Sequence, residues 1–176
     1  PAEAGREAGI FWLEPGGDRP VSNWVYALVT PFPTQVEGVS SETLRNAWIG
    51  AGQSPWGNLP LLMDPSTHSM FSAAWGPPAE QAIRLLASGE QLGEAWKQRP
   101  SWAIIPFEAL EPRWKVLKVD GQSPLRPDFD LNAYPLALPV SLHGDASLAE
   151  AIYALYGPQS LAPLAQAANW RADRLT

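Results

Sequence analysis

No cysteine occurs in the 176 residues, which excludes a disulfide framework, a thiolate metal site and a cysteine nucleophile together. Histidine is nearly absent too. His68 and His143 lie far apart and lack metal-ligand spacing, so no metal and no cofactor is expected. Charged residues make up only 17% of the chain, and their balance is acidic, with a net charge of −6. Nucleic-acid binding needs clustered Lys and Arg to neutralise phosphates, and the sequence holds no such cluster. A small anion is still allowed, because backbone N–H groups can bind one inside an acidic protein. No run reaches the roughly 20 apolar residues needed to span a bilayer. The opening Pro1-Ala2-Glu3-Ala4-Gly5 has neither an initiator Met nor a signal peptide. It reads as the cut end of a longer or processed chain.

What the sequence does have is proline and tryptophan, 19 and nine residues respectively, in a composition that is 45% hydrophobic. The length supports one good-sized core or two small lobes. Prolines stiffen connections. Tryptophans fill cores and interfaces or stack on sugars, and the first use is expected for most of these.

Apolar runs and turn signals give an alternating order of strands and helices. Ile10–Leu13 is a short apolar run closed by Pro15-Gly16-Gly17-Asp18. Trp24–Thr30 is continuously apolar and rich in β-formers, the pattern of a strand buried on both faces. Ser40 or Ser41 caps a helix running to about Ile49. A strand is expected over Leu59–Met63, then an amphipathic helix carrying Met70, Phe71, Ala74 and Trp75. Two more helices are expected near 79–87 and 90–97, then strands over Trp102–Phe107 and Trp114–Val119. Tyr134–Leu142 is a strand interrupted by Pro135 and Pro139, so it is expected at an edge or crossing between lobes. Two tail helices are expected near 147–156 and 159–169. The alternation predicts an α/β domain, with a mixed, largely parallel sheet flanked by helices on both faces.

The most informative segment is Leu61-Leu62-Met63-Asp64-Pro65-Ser66-Thr67-His68, a strand, a tight proline corner and hydroxyl residues opening a helix. Such a corner can gather free N–H groups, the positive end of the helix dipole and two hydroxyls around an anion. It can equally be a helix start with Asp64 or Ser66 as a plain N-cap. Catalysis has little to stand on. Ser66 and His68 are two residues apart and do not pair on a helix, and no G-x-S-x-G, P-loop or H-E-x-x-H pattern occurs. Glu108 and Glu111, flanked by Pro106 and Pro112, read as a solvated turn.

The order Val39–Gly50, the Ser66-Thr67 corner, Trp102–Phe107, Trp114–Pro124 and Tyr134-Pro135-Leu136 resembles the second half of phosphate-type (type 2) periplasmic binding proteins. The likeness covers about residues 24–143. In that family a Ser/Gly/Thr corner contacts the anion, so the resemblance implies Ser66 and Thr67 as ligand contacts, with Asp64 shaping the corner. Thr30 and Thr34, at the exit of the crossover strand, are further candidates. The family places an Arg just before its corner, where this chain has Met63 and Asp64. Only about 20 residues precede the Trp24 strand, so part of the first lobe is expected to be missing. The implied division is 1–23 as a first-lobe remnant, 24–143 as the binding-protein-like domain and 144–176 as helices leading onward.

Tyr26–Thr34, Trp102–Leu117 and Asn169–Thr176 are also similar to a module preceding the metallophosphatase-like domain of CapA-type capsule and poly-γ-glutamate synthesis proteins. That resemblance implies a non-catalytic module outside the cytoplasm, at the cell envelope. Its partners would be a small anionic or polymer ligand and a downstream catalytic domain. The alternative is an interaction module with a degenerate cleft that docks a neighbouring domain.

Overall fold

A twelve-residue strand, β2 (Pro20–Pro31), organises the architecture, because its two halves pair with different strands of one sheet. The computed structural model describes residues 11–17, 20–52, 55–144 and the single positions 147, 150, 151 and 154. The tail helices expected near 147–156 and 159–169 therefore lie outside the continuous described stretch. In chain order the other strands are β1 (Phe11–Pro15), β3 (Gly38–Val39), β4 (Leu61–Met63), β5 (Ile83–Leu85), β6 (Trp102–Pro106), β7 (Trp114–Val116), β8 (Lys118–Val119) and β9 (Ala137–Gly144). The helices are α1 (Ser41–Trp48), α2 (Pro65–Trp75) and α3 (Gln91–Lys97), and a 3-10 turn spans Phe107–Ala109.

The main sheet runs β1-β9-β2-β6-β4-β5. β9 pairs with the first half of β2 and β6 with the second. Val29 faces Ala103 of β6 on one edge and Val116 of β7 on the other, so β9 and β7 share one edge of β2 in succession. The sheet is mixed, with helices on both faces. Parallel pairing is confined to β4 with β5 and β6, and to the small β3–β8 pair; the remaining pairs are antiparallel.

Side chains alternate across the second half of β2, as a strand's period of two requires. Tyr26 and Leu28 enter the larger core beneath α1 and α2, with Leu44, Trp48 and Phe71. Ala27 and Val29 enter the smaller core beneath α3, with Leu92 and Ala95. β4 and β6 repeat the pattern: Leu61, Met63, Trp102 and Ile104 face one way, Leu62, Ala103 and Ile105 the other. The expected doubly buried run is therefore present from Val25 onward. Pro20–Trp24 is less covered, and Trp24 stays 42% exposed.

Three elements differ from their expected form. Residues 79–87 do not form a helix. Ile83–Leu85 instead pairs in parallel with β4, and flanking bonds from Leu61 N–H to Ala82 O (2.8 Å) and Leu86 N–H to Met63 O (3.0 Å) extend the ladder. Tertiary pairing overrides the local helical preference of this segment. The strand expected over Trp114–Val119 breaks at Leu117, whose N–H still donates to Leu28 O (2.8 Å), after which the chain leaves β2 and pairs with β3. β9 begins at Ala137 and lies between β1 and β2, inside the sheet instead of at its edge. Pro139 is accommodated because it sits where the β1 ladder ends, accepting from Gly16 N–H at 2.7 Å. Its missing donor falls beyond β1's last paired residue.

Leu28 is fully buried at the centre of this arrangement. Leu28→Ala is expected to lower the unfolding free energy by about 2–5 kcal/mol in urea titration, the range for large-to-small core changes. A loss below about 1 kcal/mol would contradict the central place given to β2.

Candidate functional site

The corner after β4 is built by Asp64. Its backbone is extended (φ −87°, ψ 165°), and its Oδ1 accepts the Thr67 N–H at 2.7 Å, which makes it the N-cap of α2. Pro65 occupies the first helical position and has no N–H to offer. The His68 N–H donates to the Asp64 carbonyl at 2.9 Å. Of the first-turn donors, only the Ser66 N–H is left without a protein partner among the described residues. Thr67 is fully buried with Met70 and Phe71, and its Oγ1 has no hydrogen-bond partner. The corner thus exposes Ser66 and consumes Thr67.

A cleft of about 240 Å³ opens at this corner. It lies at the C-terminal ends of β4 and β6, against the turn that enters α3 and the 3-10 turn after β6. Leu92, Ile105 and Trp114 form buried apolar walls, and Asp64 and Gln91 are its buried polar groups. Ser66, Ser88, Glu108 and Glu111 line the exposed rim. The volume falls just below the roughly 300–1,000 Å³ of drug-sized sites, so it suits a small solute.

The electrostatics of this wall are one-sided. Among the described residues, three carboxylates line it and no Lys, Arg or His does. Arg113 stands beside the rim and pairs with Glu111 at 3.2 Å. The buried Tyr26 phenol senses the same charges: burial above all, then Glu108 and Asp64, push its pKa well up. Asp64 already supplies negative charge at the helix N-terminus. Like unit charges about 4 Å apart repel by roughly 4 kcal/mol at an effective dielectric near 20, more than the about 1.5–3 kcal/mol that one charged hydrogen bond returns. A corner with one free N–H and a resident carboxylate is therefore a poor cradle for a dianion.

The other sequence candidates lie elsewhere. β2 runs antiparallel to β6, with Tyr26 opposite Pro106 and Val29 opposite Ala103. Thr30 consequently sits by the start of β6, whereas Asp64 and Ser66 sit by its end, on the order of 13 Å away along the strand. The Thr30 hydroxyl donates to Ser101 O at 2.8 Å and lies 3.2 Å from the Thr34 hydroxyl. Thr34 donates to Pro31 O, and its own carbonyl accepts from Lys115 Nζ, both at 2.6 Å. These groups brace the end of β2 and are not brought to the cleft. Lys115 also pairs with Glu37 at 2.6 Å, which holds the Glu37 carboxyl below its ordinary range. His68 stacks near Trp48 and reaches Ser72 at 3.4 Å, and His143 lies 3.7 Å from Glu14; neither lines the cleft.

Sequence reasoning passed over Ser88, Gln91, Glu108 and Trp114 as wall residues. They come from three places in the chain and converge only through sheet pairing. Ser88-Gly89 before a helix is the one local sign, and it reads as a cap.

The mixed sheet, with helices on both faces and parallel strands ending at an open cleft, is a periplasmic-binding-protein-like α/β fold, as its likeness to solved structures shows. Three solved structures share it. The chain superposes on an ABC-type phosphate transport receptor from Vibrio cholerae with a TM-score of 0.55 at 14% identity, covering 76% of this chain and 60% of that one. It superposes on a Clostridium perfringens protein described as a phosphate ABC transporter substrate-binding protein, solved with bound phosphate, with a TM-score of 0.59 at 14% identity, covering 87% and 76%. A protein from Planctomyces limnophilus described as a possible phosphate binding protein gives 0.54 at 8% identity, covering 94% and 71%. No protein-family model and no curated protein sequence matches the chain. The chain spans less than two thirds of the Vibrio receptor's length, and at these identities the likeness is one of fold.

Asp64 is expected to act through capping as well as charge. Asp64→Ala should cost about 0.5–2 kcal/mol in urea titration, while Asp64→Asn, itself a good cap, should cost clearly less. Equal losses would show that the cap is not what Asp64 supplies. Tyr26 and Tyr134 both have pKa values raised chiefly by burial. Their neutral forms are favoured in the folded state, so this stability is fully present below the ordinary phenol value of about 10 and is lost as pH rises above it. Urea midpoints should fall between pH 9 and 11, and less so in Tyr134→Phe.

Proposed function

We propose that this chain is a non-catalytic, solute-binding-like module that takes a small polar ligand in the cleft at the Asp64–Ser66 corner. The observation that carries the reading is the cleft itself, open to solvent outside the carboxyl ends of β4 and β6. That is where open α/β sheets bind ligands. The three similar structures support the class, because each is described as a phosphate receptor or binding protein.

Ser66 is the proposed contact at the rim and Asp64 at the base; Thr67, Thr30 and Thr34 take structural roles. Phosphate enters as a candidate through the similar structures, and an acidic envelope polymer through the sequence resemblance. Attachment to a CapA-type poly-γ-glutamate synthesis protein, a downstream metallophosphatase-like partner and a place outside the cytoplasm rest on resemblance alone, as does the reading of residues 1–23 as a first-lobe remnant. A second reading, a docking module whose anion corner has degenerated, is favoured by one observation: Asp64 occupies the helix N-terminus that an anion would need.

Tryptophan fluorescence decides between the two readings, since Trp114 is part of the wall. A panel of small anions, neutral polyols and amines is expected to contain at least one compound giving a saturable change. That change should vanish in Ser66→Trp, which fills the mouth while leaving the melting temperature within a few degrees of wild type. No response to any member, with both proteins folded, would favour the docking module.

A further inference from the structure

Asp64 and Gln91 are each more than nine-tenths buried, at 6% and 5% exposure, and both line the cleft. Neither spends its full hydrogen-bonding capacity on the protein. Asp64 Oδ1 is taken by Thr67 N–H, but Oδ2 has only a stretched 3.5 Å contact from Ser88 Oγ. Contacts that long contribute little. Gln91 Oε1 accepts the Gly89 N–H at 2.9 Å, which fixes the amide's orientation. Its Nε2 has no partner among the described residues and is not sealed from solvent.

An amide donor held open in a pocket is available to an acceptor, and a buried carboxylate without a cation asks for a donor. Among the wall residues the charge is carried by Asp64, Glu108 and Glu111, of which only Glu111 has a cationic partner among the described residues. Asp64 and Glu108 line the same cleft, at the ends of β4 and β6.

Resting on the solute-binding reading above, we infer that the cleft takes a small solute bearing a protonated amine next to a hydrogen-bond acceptor. Asp64 and Glu108 receive the ammonium, Gln91 Nε2 and Ser66 donate to the acceptor, and Leu92, Ile105 and Trp114 cover the carbon frame. An ammonium forms charge-assisted bonds that a neutral hydroxyl does not match. A phosphate dianion placed there would meet two unneutralised carboxylates and one free backbone N–H.

Calorimetric titration of the full chain with glycinamide, its neutral isostere glycolamide, and inorganic phosphate tests this. Glycinamide is expected to bind at least tenfold tighter than glycolamide, with phosphate silent. Asp64→Asn keeps the helix cap while removing the charge, and should weaken glycinamide at least tenfold without loss of folding. Glu108→Gln, an exposed change, should weaken it severalfold, and Gln91→Leu should weaken glycinamide and glycolamide alike. Equal affinity for glycinamide and glycolamide would overturn the inference, as would an unchanged affinity in both Asp64→Asn and Glu108→Gln. Saturable phosphate binding without amine binding would also overturn it, while leaving the solute-binding reading intact. Silence from all three probes overturns it as well; should the wider panel then also be silent, the solute-binding reading falls with it.

Discussion

The burial of β2 on both faces is the constraint from which the rest of the structure follows. From Val25 to Pro31 no residue of this strand is exposed, so α1 and α2 must cover one side and α3 the other. Its polar backbone must also be satisfied along both edges. That requirement draws β6 to one edge, and β9 and then β7 to the other. Because β6 in turn pairs with β4 in parallel, the carboxyl ends of two strands meet at one place, and the cleft opens there.

The chemistry of that cleft is set by a single acidic residue in a double role. Asp64 caps α2 and so supplies the negative charge that a helix N-terminus favours. Pro65 removes one more of the donors with which such an end would hold an anion. The fold is shared with proteins described as phosphate receptors or binding proteins, but at this corner a carboxylate occupies the helix N-terminus and lines the cleft. Fold and ligand chemistry are separate questions here, since sites are grafted on folds.

Much of the element order was legible in local signals. Ser40 before α1, Asp64-Pro65 before α2 and the apolar runs of β2 and β6 each state their structure through capping or periodicity. The misreadings have a common cause. Residues 79–87 carry helix-forming residues, yet Ile83–Leu85 becomes a strand because β4 has an open edge beside it. Leu117 ends β7 because its backbone N–H still serves Leu28 while the next residue serves Glu37. β9 is internal because β1 pairs with its outer edge. None of these partners is near in sequence.

The sequence by itself determined the class of fold, the doubly buried strand, the proline corner and the absence of cysteine thiols, because each depends on residue type and short-range spacing. Only the tertiary structure decided what the corner faces. It turned Thr67 into the core, placed Thr30 and Thr34 at the far end of the strands, and brought Gln91 and Glu108 beside Asp64. The physical reason is that a wall made from four separate segments exists only once strand pairing has fixed their register, and a carboxylate's role depends on which charges share that wall.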